Sequence, residues 1–546
     1  MTGKRRGRSK TRAPRSLDRP LSHSHTQRFG AAVLLFFLSL AVFWPSRGAD
    51  FVWDDQPYNL AGNDALMRGD YVGFWTRPYR DFYIPVAYTA WTAVAQVTKI
   101  PDRPDGGLEP ESFRTINLIL HATNTVLVFL LTYSLVGSVL AAATGAMLFS
   151  VHPLQVESVV WISELRGLLA SFFSLIALIL YRRYRVTGSR RVALAVTATV
   201  SFGLSILTKP STTMLPLMAV TLDFLFHRAE LPRRWWVVPS LWALLAIPIM
   251  IVAKGVQPDI VVEYVPSLIG RVAVAADALV FYAGKLFVPW PLSPSYGRTP
   301  QTVVHWQLSS LLWPLPFVIG FAVWRNRRRL PAMALSVVIG LSALLPVLGL
   351  VPFKGQNFST VADRYMYFPL AGAALAIASW IAGTKMTRAR WSLVFTILIA
   401  LTALNVQYQA SWRNEISLWR HAANVYPHQA RVHNNYGAAL QVAGQQEDAI
   451  AQFDLALQAR PDFADAYCNR GSSLGRLHRY EEALSDENRA IQLDPTDGAC
   501  WYNRATTLFY LGRYFESQHD LVQAETRGYQ PPAGFADAVE RGLRGR

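Results

Sequence analysis

Two adjacent carboxylates, Asp54 and Asp55, stand in the stretch Ala49-Asp50-Phe51-Val52-Trp53-Asp54-Asp55-Gln56-Pro57, just beyond the first apolar run of the chain. A carboxylate pair at the rim of a bilayer can take a proton from a hydroxyl or hold a divalent cation. Asp is also common at helix caps and turns, so the pair has a purely structural alternative. Further ionisable residues cluster in later loops. His152, Glu157, Glu164 and Arg166 lie within 152–166, Lys209 in Thr208-Lys209-Pro210, and Asp363 with Arg364 in 362–369. Ionisable groups near membrane depth are costly and tend to face a cavity or pair with one another. Acids in one loop and cations in several others, gathered on one face, suit an anionic substrate.

These residues need a membrane to hold them. Of the 546 residues, 51% are hydrophobic and 17 are Trp, more apolar surface than a soluble chain of this length needs. Apolar runs lie at 29–46, 115–136, 138–151, 166–181, 191–207, 211–226, 235–253, 308–324, 331–350, 366–383 and 391–408. The net charge of +17 is concentrated in short clusters between them, which sets membrane orientation and gives no nucleic-acid footprint. Residues 1–28, with nine Lys and Arg, read as a disordered cytosolic tail. The apolar run after them has no small-x-small cleavage site and reads as a retained signal anchor.

The clusters at 182–185, 190–191, 227–234, 325–329 and 385–390 should all be cytosolic. With a cytosolic N-terminus, that requirement is met only if the apolar runs 83–99 and 268–288 lie on the outer face without crossing. About eleven spans remain, and the C-terminus is then outside. The same topology puts 47–114, 152–165 and 351–364 together on the outer side.

From Trp412 onward the pattern is soluble and helical. Pro427, Pro461 and Pro495 recur every 34 residues, as do Asn435, Asn469 and Asn503, and Leu440, Leu474 and Leu508. This is the tetratricopeptide repeat, with small residues where paired helices touch and Pro where the second helix ends. Two full repeats and most of a third are expected, after a half repeat at 412–427. Such an array either caps the membrane part or binds peptide in its concave face. Cys468 and Cys500 are too few for a disulfide framework or a Cys-based zinc site; packed free thiols are expected, with a single disulfide in an oxidising compartment as the alternative.

Taken together, Phe51 to Asp55, the run FRTINLILHATN at 113–124, residues 152–166, Thr208-Lys209-Pro210 with Leu215-Pro216, and residues 362–369 carry a family resemblance. In order and spacing the chain resembles the transmembrane and tetratricopeptide repeat-containing O-mannosyltransferases and their bacterial relatives in the GT-C glycosyltransferase superfamily. The resemblance implies an all-α protein: a polytopic GT-C-type helical domain at 29–410 with interfacial outer helices, then a tetratricopeptide α-solenoid at 411–546. It also implies residence in a membrane, here a bacterial cytoplasmic membrane with the repeats periplasmic.

The activity implied is transfer of one sugar, mannose by resemblance, from a polyprenyl-phosphate carrier to Ser or Thr hydroxyls of acceptor proteins. The same resemblance makes Asp54 the general base and Asp55 the group that positions acceptor or sugar, with their order reversible. Arg364 is the first choice for the donor phosphate because its guanidinium fork matches phosphate oxygens; Lys209, Arg166 and His152 follow. The alternatives are an ion pair to Asp363 for Arg364 and a packing role beside Pro153 for His152, while Glu157 and Glu164 read as structural partners. Direct displacement through one base inverts the anomeric centre. No further acid or His stands beside Asp54 and Asp55 at ligand spacing, and the resemblance favours a metal-independent reaction with no required cofactor. The repeats imply an acceptor protein or peptide as partner, and no acceptor-binding residue is assigned. The rival activities are a GT-C or O-antigen-ligase-like transferase with a glycan or lipid acceptor, and a non-catalytic tetratricopeptide membrane scaffold.

Overall fold

A computed structural model describes residues 25–55, 60, 62–80, 82–100, 107–187, 190–227, 233–256, 264–305 and 314–545. Most of the basic tail, 1–24, lies outside the described residues. Residues 25–28 belong to the first helix, not to the tail expected for them, because the apolar run recruits the polar turn before it.

The membrane part begins with α1 (His25–Phe43) and a group of shorter helices, α2 (Asp64–Arg68), α3 (Tyr71–Thr76) and α4 (Pro85–Thr98). It continues through α5 (Pro110–Val136), α6 (Val139–Val151), α7 (Val156–Val160), α8 (Leu165–Val186), α9 (Arg191–Thr208), α10 (Leu215–Phe226) and α11 (Val237–Val256). After these come α12 (Leu268–Phe287), α13 (Pro300–His305), α14 (Leu315–Arg325), α15 (Pro331–Leu344), α16 (Pro369–Gly383) and α17 (Arg388–Gln409). No strand occurs among the described residues; the fold is all-α.

Among the described residues six helices are long and apolar enough to cross a bilayer, which marks an integral membrane protein. A seventh crossing is formed if α6 and the segment Pro153–Val160, bent by 57°, count as one broken span. Four further apolar runs form helices of 10–17 residues. The count of eleven full-length spans is therefore not reached among the described residues. Pro153, Pro210, Pro331 and Pro369 stand at the first positions of their helical turns, where the missing N–H is tolerated, and His152, Lys209 and Leu330 before the first three are out of the helical region.

The run 83–99 becomes α4, whose buried face (Tyr88, Trp91, Ala95) packs with Leu66 of α2 and Phe74 of α3 into a small core of its own. α12, which carries Arg271, Asp277 and Lys285, is likewise not among the six spanning helices. Close packing elsewhere depends on missing side chains: a Cβ on Gly145 of α6 would collide with the Ala374 carbonyl of α16. At the other end of the bundle Asp223 of α10 accepts from the Tyr181 hydroxyl at 2.6 Å and from Arg185 at 2.7 Å, so this buried charge is paired.

The repeats begin with α18 (Glu415–Val425), followed by the helix pairs α19 (Ala430–Val442) with α20 (Gln446–Ala459), α21 (Ala464–Arg476) with α22 (Tyr480–Leu493), and α23 (Gly498–Tyr510) with α24 (Tyr514–Thr526). A final helix, α25 (Phe535–Arg544), covers the end. The third repeat, expected over most of its length, is complete. The pairs are pinned by a periodic ion-pair motif. Arg470 makes two bonds of 2.7 Å to Asp486 and one of 2.5 Å to Asp454. Arg504 repeats this toward Asp520 and Asn488.

Cys468 and Cys500 are not free thiols; they form a disulfide across a sequence separation of 32, with Cα atoms 5.6 Å apart. The separation differs from the 34-residue period by two, which sets the cysteines near corresponding positions of neighbouring first helices, inside the range a disulfide spans.

Candidate active site

The scaffold of the site is one face of α5. Arg114, Asn117, His121 and Asn124 follow at intervals of three, four and three, so they share a side of the helix. All are buried, and all bond to backbone or side chains of the segments that carry the charged residues. Arg114 donates to the carbonyls of Val160 at 3.0 Å and Asp50 at 2.8 Å, and to that of Ala49. Asn117 donates to the carbonyls of Val159 and Trp161. His121 and Asn124 both meet the Tyr367 hydroxyl, at 3.0 and 3.1 Å, and Asn124 reaches the Leu168 carbonyl at 2.9 Å. These four residues tie residues 49–50, 159–168 and 367 into one frame. They were quoted for the resemblance but given no role; their polarity at helical spacing inside an apolar run was the available signal.

Asp55 is fully buried and committed to that frame. Its Oδ1 accepts from the Ser163 N–H at 2.9 Å and hydroxyl at 2.6 Å, and its Oδ2 from the Val52 N–H at 3.2 Å. Burial pushes its carboxyl up to about 7 against the opposing pull of Ser163, Val52 and Arg114. Asp54, next to it, is half-buried and accepts no hydrogen bond from the described residues. Burial raises its carboxyl above the ordinary range, while the charges of Arg166 and Arg364 pull it down. The two aspartates therefore separate into a structural clamp and a carboxylate open to a ligand. With Asp55 so engaged, the pair does not offer a cation two free carboxylates. The one three-residue group able to hold a metal among the described residues is Cys468, Asp497 and Cys500, whose sulfurs are joined.

Around Asp54 the cations are arranged on two buried glutamates. Arg364 donates to Glu157 through its guanidinium and, at 3.0 Å, through its backbone N–H. The partner is Glu157 and not Asp363, because the 3₁₀ turn Asp363–Met366 sends the neighbouring side chains apart: Asp363 accepts from the Tyr296 hydroxyl at 2.6 Å. Glu164 accepts from Lys209 at 2.8 Å and from Arg166 at 3.2 Å. Glu157 and Glu164 are the structural partners their sequence positions suggested. The Arg364 guanidinium also stands 5.7 Å from the centre of the Trp53 ring and 5.5 Å from that of Trp161.

Lys209 and Arg364 then open onto a groove of about 540 Å³, counted with the solvent at its mouth. Ser211 and Thr212 line its polar end; Met214, Leu215, Met218, Val347 and Phe368 supply apolar walls. A charged head with an apolar trough is the shape of an amphiphile's site.

His152 is set apart from this groove. Its Nε2–H donates to the Leu286 carbonyl at 3.1 Å and its Nδ1 accepts from the Leu154 N–H at 3.3 Å, which uses both ring nitrogens. It joins α6 to α12 beside Pro153 and does not line the groove that Lys209 and Arg364 open onto.

The tetratricopeptide repeat family model matches residues 464–497. A Caenorhabditis elegans protein O-mannosyl-transferase, F38B6.6, is 26% identical over 467 residues, covering 81% of this chain and 65% of its own length. The mouse protein O-mannosyl-transferase TMTC4 is 24% identical over 508 residues, covering 80% of this chain and 68% of its own. Among solved structures, the Archaeoglobus fulgidus oligosaccharyltransferase in its apo form aligns over 72% of this chain and 56% of its own, with 13% identity and a TM-score of 0.40. The chain thus spans just under two thirds of the first of these relatives. Over four fifths of its own length it resembles the TMTC protein O-mannosyl-transferases, and it ends in tetratricopeptide repeats.

Proposed function

We propose that the chain is a membrane glycosyltransferase that moves one mannose from a polyprenyl-phosphate carrier to Ser or Thr hydroxyls of acceptor proteins on the outer face. The observation that carries this reading is a half-buried carboxylate, Asp54, without a hydrogen-bond partner among the described residues, beside cations that line a groove with a polar head and apolar walls. The similarity to proteins named O-mannosyl-transferases supports the chemistry and the sugar.

In the proposed step the acceptor oxygen attacks C1 of the sugar as the C1–O bond to the carrier phosphate breaks. The hydroxyl proton passes to Asp54, and the bonding electron pair leaves on the phosphate. A carboxyl raised above its ordinary value by burial holds that proton better than an exposed one. Negative charge growing on the departing phosphate meets Arg364 and Lys209, whose own positions are held by Glu157 and Glu164. A single displacement inverts the anomeric centre. The carrier's isoprenoid chain takes the apolar part of the groove, and the repeats hold the acceptor polypeptide. A disulfide in the repeats suits an oxidising space outside the cytosol, in keeping with the side that the positive clusters assign them.

The test is transfer of labelled mannose from polyprenyl-phosphate-mannose to endogenous membrane proteins, by wild type and Asp54→Asn at equal membrane insertion. Transfer by wild type and its loss in the variant is the expected result. Undiminished transfer by Asp54→Asn would overturn the carboxylate mechanism.

A further inference from the structure

Trp53, one residue before Asp54, has φ +58°. A bulky side chain in the left-handed region is uncommon and persists only where its surroundings hold it. Two parts of the chain do so here. On one side the Trp53 ring stacks on Trp161 of the 152–166 segment, centres 4.8 Å apart and planes 14° from parallel. On the other, the first repeat helix, α18, closes over it. The Trp419 ring meets Trp53 edge-on at 5.5 Å, and the Trp53 N–H donates to Glu415 Oε2 at 2.6 Å. The other oxygen of Glu415 accepts from the Trp419 indole N–H at 2.7 Å, so one carboxylate fixes both the strained backbone and the ring laid against it. Just before α18, the Arg413 carbonyl accepts from the Asp50 N–H at 2.9 Å.

We infer that Glu415 is a positioning residue for Asp54, and that the first repeat helix completes the active site by holding the Trp53 turn from the outside. This rests on the proposed role of Asp54. The contact joins residues 362 apart in sequence and bonds the turn to a repeat helix. A carboxylate that must stand within hydrogen-bond reach of a hydroxyl is sensitive to small shifts of the backbone that carries it. Release of Trp53 from the left-handed region would redirect the next side chain, Asp54, while Arg364 and Lys209 keep their own bonds to Glu157 and Glu164 and Arg364 loses only the ring 5.7 Å away. The effect is therefore larger on turnover than on donor binding.

The experiment compares full-length wild type, Glu415→Ala and Glu415→Gln in membranes, with polyprenyl-phosphate-mannose as donor and endogenous membrane proteins as acceptors. Amide hydrogen exchange of residues 50–55 is read in parallel. Glu415→Ala should lower kcat by about tenfold or more, with the donor KM changed by a clearly smaller factor. It should also speed exchange in 50–55 by about tenfold, since local protection reports local opening. Glu415→Gln keeps one oxygen for the Trp53 N–H but sets its NH2 against the Trp419 indole N–H, so both readings should fall between those of wild type and Glu415→Ala. Unchanged exchange in Glu415→Ala overturns the inference, as does a kcat in Glu415→Gln as low as in Glu415→Ala. Failure of wild type to transfer mannose would count against the proposed function alone, and the exchange measurement would still decide whether Glu415 holds the turn.

Discussion

The Asp55 carboxylate accepts two hydrogen bonds from one residue, Ser163, whose N–H and hydroxyl both reach its Oδ1, at 2.9 and 2.6 Å. The clasp ties the loop after α1 to the segment before α8 and turns Asp55 inward. Its neighbour in sequence, Asp54, is left facing the cations. Two carboxylates that are equivalent on paper thus acquire different work.

Replacement of each aspartate should therefore fail differently. Asp54→Asn should insert and fold normally and lose about 10²- to 10⁴-fold in transfer rate, the range for removal of a positioned general base. Asp55→Ala should leave the Ser163 donors and the Val52 N–H unsatisfied in a buried site, costing about 1–3 kcal/mol each where water does not replace the acceptor. Thermal unfolding in detergent, read beside transfer, separates the two outcomes.

The pH response has two parts with opposite signs. The proposed mechanism needs ionised Asp54, whose carboxyl is raised above its ordinary value by burial, so the rate should fall as pH drops through that raised value and level off above it. For Asp55 the folded value is about 7 against an ordinary 3.8, so the folded state holds the proton more tightly than the unfolded one. Its contribution to stability is full below about 4 and is lost as pH rises from there to about 7. Melting temperature measured across that window should decline with pH in wild type, and Asp55→Asn should flatten the slope.

Arg364 sits on a buried glutamate and beside the groove, so its removal has two consequences. Arg364→Ala strands Glu157 and should destabilise the protein by about 3–5 kcal/mol, as for other broken buried pairs. Arg364→Lys keeps the charge but not the planar fork, and should fold while raising the donor KM by about tenfold or more. Donor titration of the Lys variant, with unfolding of both, checks the division.

The Cys468–Cys500 bridge closes a loop across 32 positions. Loop-closure entropy for that length predicts stabilisation of the repeats by about 3–4 kcal/mol. Thermal unfolding of the full chain should lose its repeat-domain transition temperature by several degrees on reduction. The double variant Cys468→Ser, Cys500→Ser should start at the lower value and ignore reductant.

Much of the architecture was legible in the chain itself. Hydrophobic runs separated by basic clusters announce membrane helices, because burial of apolar surface and the placement of positive charge act on composition. The 34-residue period announces stacked helix pairs, since each pair must present the same small and apolar residues to its neighbour. Glu157, Glu164, Arg166, Lys209 and Arg364 could be chosen because ionisable groups are costly near membrane depth and stand out against apolar sequence. Tertiary structure alone decided which groups meet. Asp54 and Asp55 have the same chemistry and nearly the same place, and only Ser163, 108 residues from Asp55, tells them apart. Arg364 chose Glu157 over the adjacent Asp363 because a turn directs neighbouring side chains apart, and His152 spent both ring nitrogens on contacts that include the distant Leu286 carbonyl. The hold of Glu415 on Trp53 crosses most of the chain. Periodicity and composition record what each segment needs to bury; the partner that satisfies a given polar group is set by the packing of segments far apart in sequence.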